Sequence, residues 1–66
     1  GYATILDFSA LEGDRIQLGG SIGDYQFRTN RSSYGNSNLT DTVITRGSDY
    51  IAVVHDAVVT ASDVFV

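Results

Sequence analysis

The chain has 66 residues and a formal net charge of −4, and it contains no cysteine, methionine, proline or tryptophan. Its length limits it to one small domain or one piece of a larger one, and the absence of cysteine excludes a disulfide or a cysteine-based zinc site. The acidic balance argues against nucleic-acid binding, which depends on Lys and Arg neutralising phosphates, and no apolar run approaches the ~20 residues of a transmembrane helix.

The first half of the chain predicts three strands. Tyr2–Phe8 is rich in β-forming residues and is predicted as the first strand, followed by a turn at Ser9–Gly13. Asp14–Leu18 is predicted as a short second strand, and the glycines of Gly19–Gly23 then interrupt the chain. Asp24–Thr29 alternates between apolar and polar residues, which is typical of a half-buried strand.

A polar, turn-rich stretch at Asn30–Asp41 is predicted as the one long loop. The segments Thr42–Arg46 and Asp49–His55 flank Gly47-Ser48, a two-residue connection that predicts a tight hairpin. Tyr50–Val54 is apolar on both faces, which indicates a central strand covered on both sides.

The end of the chain is predicted to contain one helical turn or an irregular crossing at Asp56–Ser62, and then a short apolar strand at Asp63–Val66. The prediction is one small all-β domain over residues 1–66, a roll or sandwich of about six short, mostly antiparallel strands. Domains of this size usually need a disulfide, a metal, an oligomeric partner or a larger neighbour for support, and without cysteine the last three remain. The predicted core is Phe8, Ile16, Leu18, Tyr25, Phe27, Val43, Ile51, Val53 and Phe65.

Two carboxylates are candidate calcium ligands. Asp7 and Asp14 lie at the end of one predicted strand and the start of the next, so a turn between them would bring both near one cation. The structural alternative is that both are ordinary turn and strand-end aspartates. A calcium loop of the Asp-x-Asp-x-Asp-Gly type is not present.

Several segments together resemble a known family. They are Ile5-Leu6-Asp7-Phe8, Gly13-Asp14-Arg15-Ile16-Gln17-Leu18, Gly20-Ser21, Asp24-Tyr25, Asp49-Tyr50-Ile51-Ala52-Val53-Val54 and Ser62-Asp63-Val64-Phe65-Val66. This pattern resembles the region that follows the glycine-rich nonapeptide repeats of hemolysin-type (RTX) calcium-binding proteins. The resemblance implies a C-terminal segment of a larger secreted protein, located outside the cell or on its surface, that caps or extends a calcium-bound parallel β-roll.

The resemblance also implies specific partners and sites. Aspartates at the positions of Asp7 and Asp14 lie next to the last calcium-loaded turns of such proteins. The repeat Gly-Gly-x-Gly-x-Asp-x-apolar-x is absent here, so a complete calcium site would need repeats upstream of this chain. An acidic residue followed by apolar ones, as in Asp63, Val64, Phe65 and Val66, implies an export signal read by an ABC-type (type I) exporter; the same residues would also complete a sheet.

Catalysis is not expected from this sequence. His55 is the only histidine and follows the alternation of a strand, which favours a packing role, and neither a Gly-x-Ser-x-Gly elbow nor a phosphate-binding Gly-Lys-Ser/Thr occurs. Two functions remain. The first is a non-catalytic capping and export module, and the alternative is a self-assembling extracellular structural subunit that pairs with identical subunits through strand edges.

Overall fold

The structure is a computed structural model that describes residues 2–6, 8–31 and 39–65. Within these residues the chain forms six strands and three single-turn 3₁₀ helices. The strands are β1 (Ala3–Ile5), β2 (Ile16–Gln17), β3 (Tyr25–Arg31), β4 (Thr40–Arg46), β5 (Asp49–Val54) and β6 (Val64–Phe65). The 3₁₀ helices are Ala10–Glu12, Ile22–Asp24 and Ala61–Asp63. The predicted all-β class is confirmed.

The strands form two sheets. The larger sheet has the order β1-β5-β4-β3, with β3, β4 and β5 antiparallel to one another and β1 parallel to β5. The smaller sheet pairs β2 with β6 in parallel. The predicted central strand is confirmed, since β5 lies between β1 and β4.

The hairpin between β4 and β5 forms as predicted. Arg46 pairs with Asp49, which leaves Gly47 and Ser48 as the two-residue turn. Gly47, at the first turn position, has a positive φ of 61, and Ser48, at the second, does not. This combination is typical of a type II′ turn. Glycine suits this position because side chains disfavour the left-handed region.

The predicted long loop is shorter than expected. β3 continues to Arg31 and β4 begins at Thr40, so both ends of the predicted loop belong to strands, and residues 32–38 lie outside the described part of the chain. Polar residues such as Asn30 and Asp41 have a weak strand propensity, so the sequence did not indicate that the strands extend this far. In the structure, the pairing between β3 and β4 outweighs this propensity.

The main core lies between the inner face of the larger sheet and the smaller sheet. It consists of Leu18, Ile44, Ala52, Val54, Val59 and Val64. The register places Ile44 opposite Ala52, so these two side chains point to the same face of the sheet.

The predicted core is partly correct. Leu18, Val43 and Val53 are buried, whereas Phe65 is 44% exposed and its assignment to the core was wrong. Side chains alternate along the short β6, so burial of Val64 against the core turns Phe65 outward. The remaining predicted core residues are half-buried around the cluster: Phe8, Ile16, Tyr25, Phe27 and Ile51. In the described ranges, every helix is too short or too polar to cross a membrane.

Candidate functional site

Asp14, one of the two predicted calcium ligands, closes a turn. Its Oδ2 atom accepts the backbone N–H of Ser9 at 2.9 Å, and its own N–H donates to the Ser9 carbonyl at 3.1 Å. The side chain is exposed at the end of this turn. Asp7 lies outside the described residues, and the described ranges contain no group of three or more His, Cys, Asp or Glu placed to hold a metal. Asp14 therefore has a structural bond and an accessible carboxylate.

The predicted export segment is built into the fold. Asp63 is half-buried, and its Oδ2 accepts the backbone N–H of Thr60 at 3.0 Å, which closes the last 3₁₀ helix at its start. Val64 pairs with Ile16 in the smaller sheet and is buried, while Phe65 points outward. Val66 is outside the described residues. Val64 and Phe65 thus form a strand of the smaller sheet, as predicted for this segment.

Two buried polar residues that the sequence did not single out hold the connection after β5. Asp41 is fully buried, and its Oδ1 accepts the backbone N–H of Asp56 at 2.7 Å. Thr42 is also fully buried; its hydroxyl donates to the Ala57 carbonyl at 2.7 Å and accepts the Val59 N–H at 2.8 Å. Neighbouring side chains on a strand point to opposite faces of the sheet. Asp41 and Thr42 therefore bind the backbone of the segment after β5 from opposite faces of β4.

The sequence gives only an indirect indication of these hydrogen bonds. Asp41 and Thr42 directly precede the apolar Val43 and Ile44 in the buried part of β4, where an unpaired carboxylate or hydroxyl would be costly to bury. Such residues require partners, and the partners lie roughly 15 positions away on the chain. Spacing alone does not reveal a bond between a side chain and a distant backbone group.

Aromatic and charged groups fix the start of β3. The hydroxyl of Tyr25 donates to the Gly19 carbonyl at 2.6 Å, and the guanidinium of Arg46 lies 5.7 Å from the centre of the Tyr25 ring. Arg46 also approaches Asp24, with 3.8 Å between its Nη2 and the Asp24 Oδ2. These contacts join the glycine-containing loop before β3 to the β4–β5 hairpin, so β3 starts from a fixed position.

β3 is the longest exposed edge of the larger sheet. The backbone bond from His55 N to Ile5 O, 2.9 Å long, shows that odd-numbered residues of β5 face β1. The even-numbered residues of β5 therefore bond to Thr42 and Ile44 of β4. Val43 then faces β3, where it lies opposite Arg28, so the even-numbered residues of β3 bond to β4. The backbone groups of Phe27 and Thr29 therefore point away from the sheet, and within the described residues β3 pairs with β4 alone.

The face of the sheet beside this edge has a hollow with both polar and apolar lining residues. The hollow of about 440 Å³ is bordered by side chains that include Arg28, Val43, Thr45 and Tyr50. The Thr45 hydroxyl is buried without a hydrogen-bond partner in the described part of the chain. Thr45 lies where the β4–β5 register shifts between Ile44 and Thr45.

The structure brings the described site residues predicted from sequence to the same small sheet: Asp14 closes the turn before β2, and Asp63, Val64 and Phe65 belong to the last 3₁₀ helix and to β6, which pairs with β2. The geometry instead emphasises the buried Asp41–Thr42 pair and the open edge of β3. No family model matches the sequence, and no curated protein or solved structure matches it either.

Proposed function

We propose that this chain is a non-catalytic C-terminal module of a secreted, hemolysin-type calcium-binding protein. In this role it caps the end of a parallel β-roll outside the cell and carries the segment that an ABC-type exporter reads. The proposal starts from the sequence resemblance, and one structural observation supports it most directly. β1 is an edge strand whose only partner in the described residues, β5, runs parallel to it.

A parallel edge suits the end of a parallel roll. Ile5 bonds to β5, so alternation along β1 turns the backbone N–H and C=O of Thr4 away from the sheet. A preceding strand of a roll would pair with these groups and continue the parallel arrangement. The carboxylates of Asp14, Asp41 and Asp63 accept backbone N–H groups, which also supports a structural rather than a catalytic role for them.

The capping role can be tested with a fusion protein. We would place calcium-binding nonapeptide repeats before residue 1 and measure their calcium-dependent folding by circular dichroism, with and without this chain. Capping predicts that the chain lowers the calcium concentration needed to fold the repeats. Thr4→Pro should remove this effect, because proline deletes the outward N–H while sparing the bonds to β5.

Gln17→Pro is the matched control for Thr4→Pro. The N–H of Leu18 donates to the Phe65 carbonyl, so the backbone of the exposed Gln17 points away from β6, just as that of Thr4 points away from β5. The control should keep the capping effect. Loss of the effect in both variants, or in neither, would contradict capping through β1.

The export role can be tested separately through Asp63. Asp63→Asn removes the charge but keeps an oxygen that can accept the Thr60 N–H, so the melting temperature should change little. A carrier fused to residues 1–66 should be secreted less efficiently through a type I exporter when it carries this change. Equal secretion of the two fusions would argue against an acidic-plus-apolar signal.

The second candidate function is a self-assembling extracellular structural subunit. The seven-residue strand β3 favours it, because among the described residues β3 pairs with β4 alone, and a strand edge that lacks a partner is a template for another strand. Mass measurement in solution separates the two candidates in the simplest way: a strict monomer supports the capping module, and a concentration-dependent increase in mass supports the subunit.

A further inference from the structure

We infer that β3 pairs with β3 of a second copy of this chain across a two-fold axis, in a register centred on Phe27, and that this assembly closes as a dimer. The inference rests on the assembly role proposed above and specifies its partner, its geometry and its size. It follows from the two sheet edges, the exposed side chains of β3 and the half-buried position of Phe27.

The two edges of the larger sheet are unequal, which argues against a filament. β3 has seven residues, whereas β1 has three, of which Thr4 alone directs both its backbone groups outward. Head-to-tail pairing of β3 with β1 of the next copy would leave most outward groups of β3 unpaired. Pairing of β3 with itself matches edges of equal length, and a two-fold contact of this kind closes.

The side chains on the outer face of β3 select among registers. Gln26 and Arg28 are both exposed, and Arg28 Nη2 already donates to Gln26 Oε1 at 3.0 Å within one chain. A register centred on Arg28 would place the two arginines directly opposite each other, which destabilises a strand pair. A register centred on Phe27 places each arginine opposite Gln26 of the other copy, so the same type of bond forms across the axis twice.

The inner face favours the same register. Phe27 is half-buried against the main core, and a register centred on it brings the two Phe27 rings together on the axis. A register centred on Thr29 would instead place two exposed threonines there. Pairing of the aromatic side chains removes more apolar surface from water, and it continues the core of one copy into the other.

The test is sedimentation equilibrium of the 66-residue chain over a wide concentration range. The expected result is a mass that rises with concentration and stops at twice that of the monomer. A mass that stays monomeric up to millimolar concentration would overturn the dimer and the assembly role together. A mass that grows without limit would overturn the closed pair while supporting assembly.

Two variants test the surface and the register. Thr29→Pro deletes an outward N–H and spares the bonds to β4, so the chain should become monomeric; persistence of the dimer would overturn pairing through β3. Gln26→Glu should strengthen association about 2- to 30-fold, the range expected from two exposed ion pairs to Arg28 across the axis. Because the second variant predicts a gain, misfolding cannot mimic its result.

Gln17→Glu is the matched control for the charge. It makes the same substitution at an exposed residue of the smaller sheet, away from β3. Association should be unchanged in this variant. If both glutamate variants alter association equally, net charge accounts for the effect and the register centred on Phe27 is wrong.

Discussion

The buried carboxylate of Asp41 accepts the backbone N–H of Asp56 at 2.7 Å, and Asp56 holds a left-handed backbone conformation with φ 60. Residues other than glycine seldom adopt this conformation, although Asp tolerates it better than most. The bond places this unusual turn directly after β5. Together with Thr42, it determines where the chain leaves the larger sheet and approaches the smaller one.

Replacement of the Thr42 hydroxyl should be strongly destabilising. Thr42→Val keeps the shape of the side chain but leaves the Ala57 carbonyl and the Val59 N–H without their partner. Each group left unpaired costs about 1–3 kcal/mol, so the loss of both bonds should lower the free energy of unfolding by about 2–6 kcal/mol. Urea denaturation followed by circular dichroism measures this, and a loss under about 0.5 kcal/mol would show that the connection does not depend on Thr42.

The same substitution at Thr45 should have the opposite sign. The Thr45 hydroxyl is buried and unpaired in the described part of the chain, so Thr45→Val removes a desolvated polar group and adds a methyl group. We expect the free energy of unfolding to rise by about 1 kcal/mol. This variant is the control for Thr42→Val, since both are buried threonines of β4. Equal losses in the two variants would mean that valine itself is poorly accommodated in this strand.

The connection after β5 contains a matched pair of valines. Val59 is 1% exposed within the main core, and its neighbour Val58 is 55% exposed. Val59→Ala should lower the free energy of unfolding by about 1.5–3 kcal/mol, through lost burial and a cavity, whereas Val58→Ala should cost under about 0.5 kcal/mol. Thermal unfolding of both variants checks the difference. A larger loss at Val58 would indicate that an interface covers it.

A side chain at the first position of the hairpin turn should destabilise the protein. Gly47→Ala forces a side chain into the left-handed region, at a cost of about 1–2 kcal/mol, although nothing lies within 4 Å of the added carbon. Gly23→Ala is the control, because Gly23 has no positive φ and equally open surroundings. The control should leave the melting temperature nearly unchanged. Similar melting temperatures for both variants would argue against backbone strain as the reason for glycine at position 47.

Calcium should bind this chain only weakly, with a dissociation constant of about 10⁻⁴–10⁻³ M, because the nonapeptide repeats that would complete a site are absent. Asp14→Asn should reduce the rise in melting temperature between chelator and calcium. Asp49→Asn changes an exposed carboxylate elsewhere and should leave that rise intact. Comparing each variant with and without calcium removes the effect of the Ser9–Asp14 turn itself. Micromolar affinity in a calorimetric titration would show that the chain holds a complete site.

The elements with local signals were predictable from the sequence. Alternation in Asp24–Thr29 indicated β3 without its last two residues, the Gly47-Ser48 turn correctly indicated the β4–β5 hairpin, and the apolar Tyr50–Val54 indicated a central strand. Partnership between distant strands was not predictable, because β1–β5 and β2–β6 have no connecting turn whose residues would reveal it. Which side chain of β6 points to the core was not predictable either, because a strand of two residues shows no alternation of apolar and polar residues. Phe65 was therefore assigned to the core, whereas Val64 is the buried residue.

The candidate sites followed the same division. A pattern of residue types pointed to Asp14 and to the Asp63-Val64-Phe65 segment, and the structure gives each a place in the fold. The pair Asp41 and Thr42 could not be found in this way, because their partners are backbone groups, and every residue offers the same backbone groups. The edge position of β3, which pairs with β4 alone among the described residues, depends on strand order, and a single sequence does not state that order.

The two parallel pairs have a consequence for the kinetics of folding. β1 meets β5 and β2 meets β6 only after segments roughly fifty residues apart along the chain come together, and closing such long loops costs entropy before the contacts form. The β4–β5 hairpin can form early, but the smaller sheet cannot form until residues 64 and 65 are available. We therefore expect the domain to fold slowly, on the millisecond-to-second scale of non-local β proteins, and in a single cooperative step. A chain that still lacks β6 would remain incompletely folded. A narrow protein channel could accept such a chain without unfolding it first.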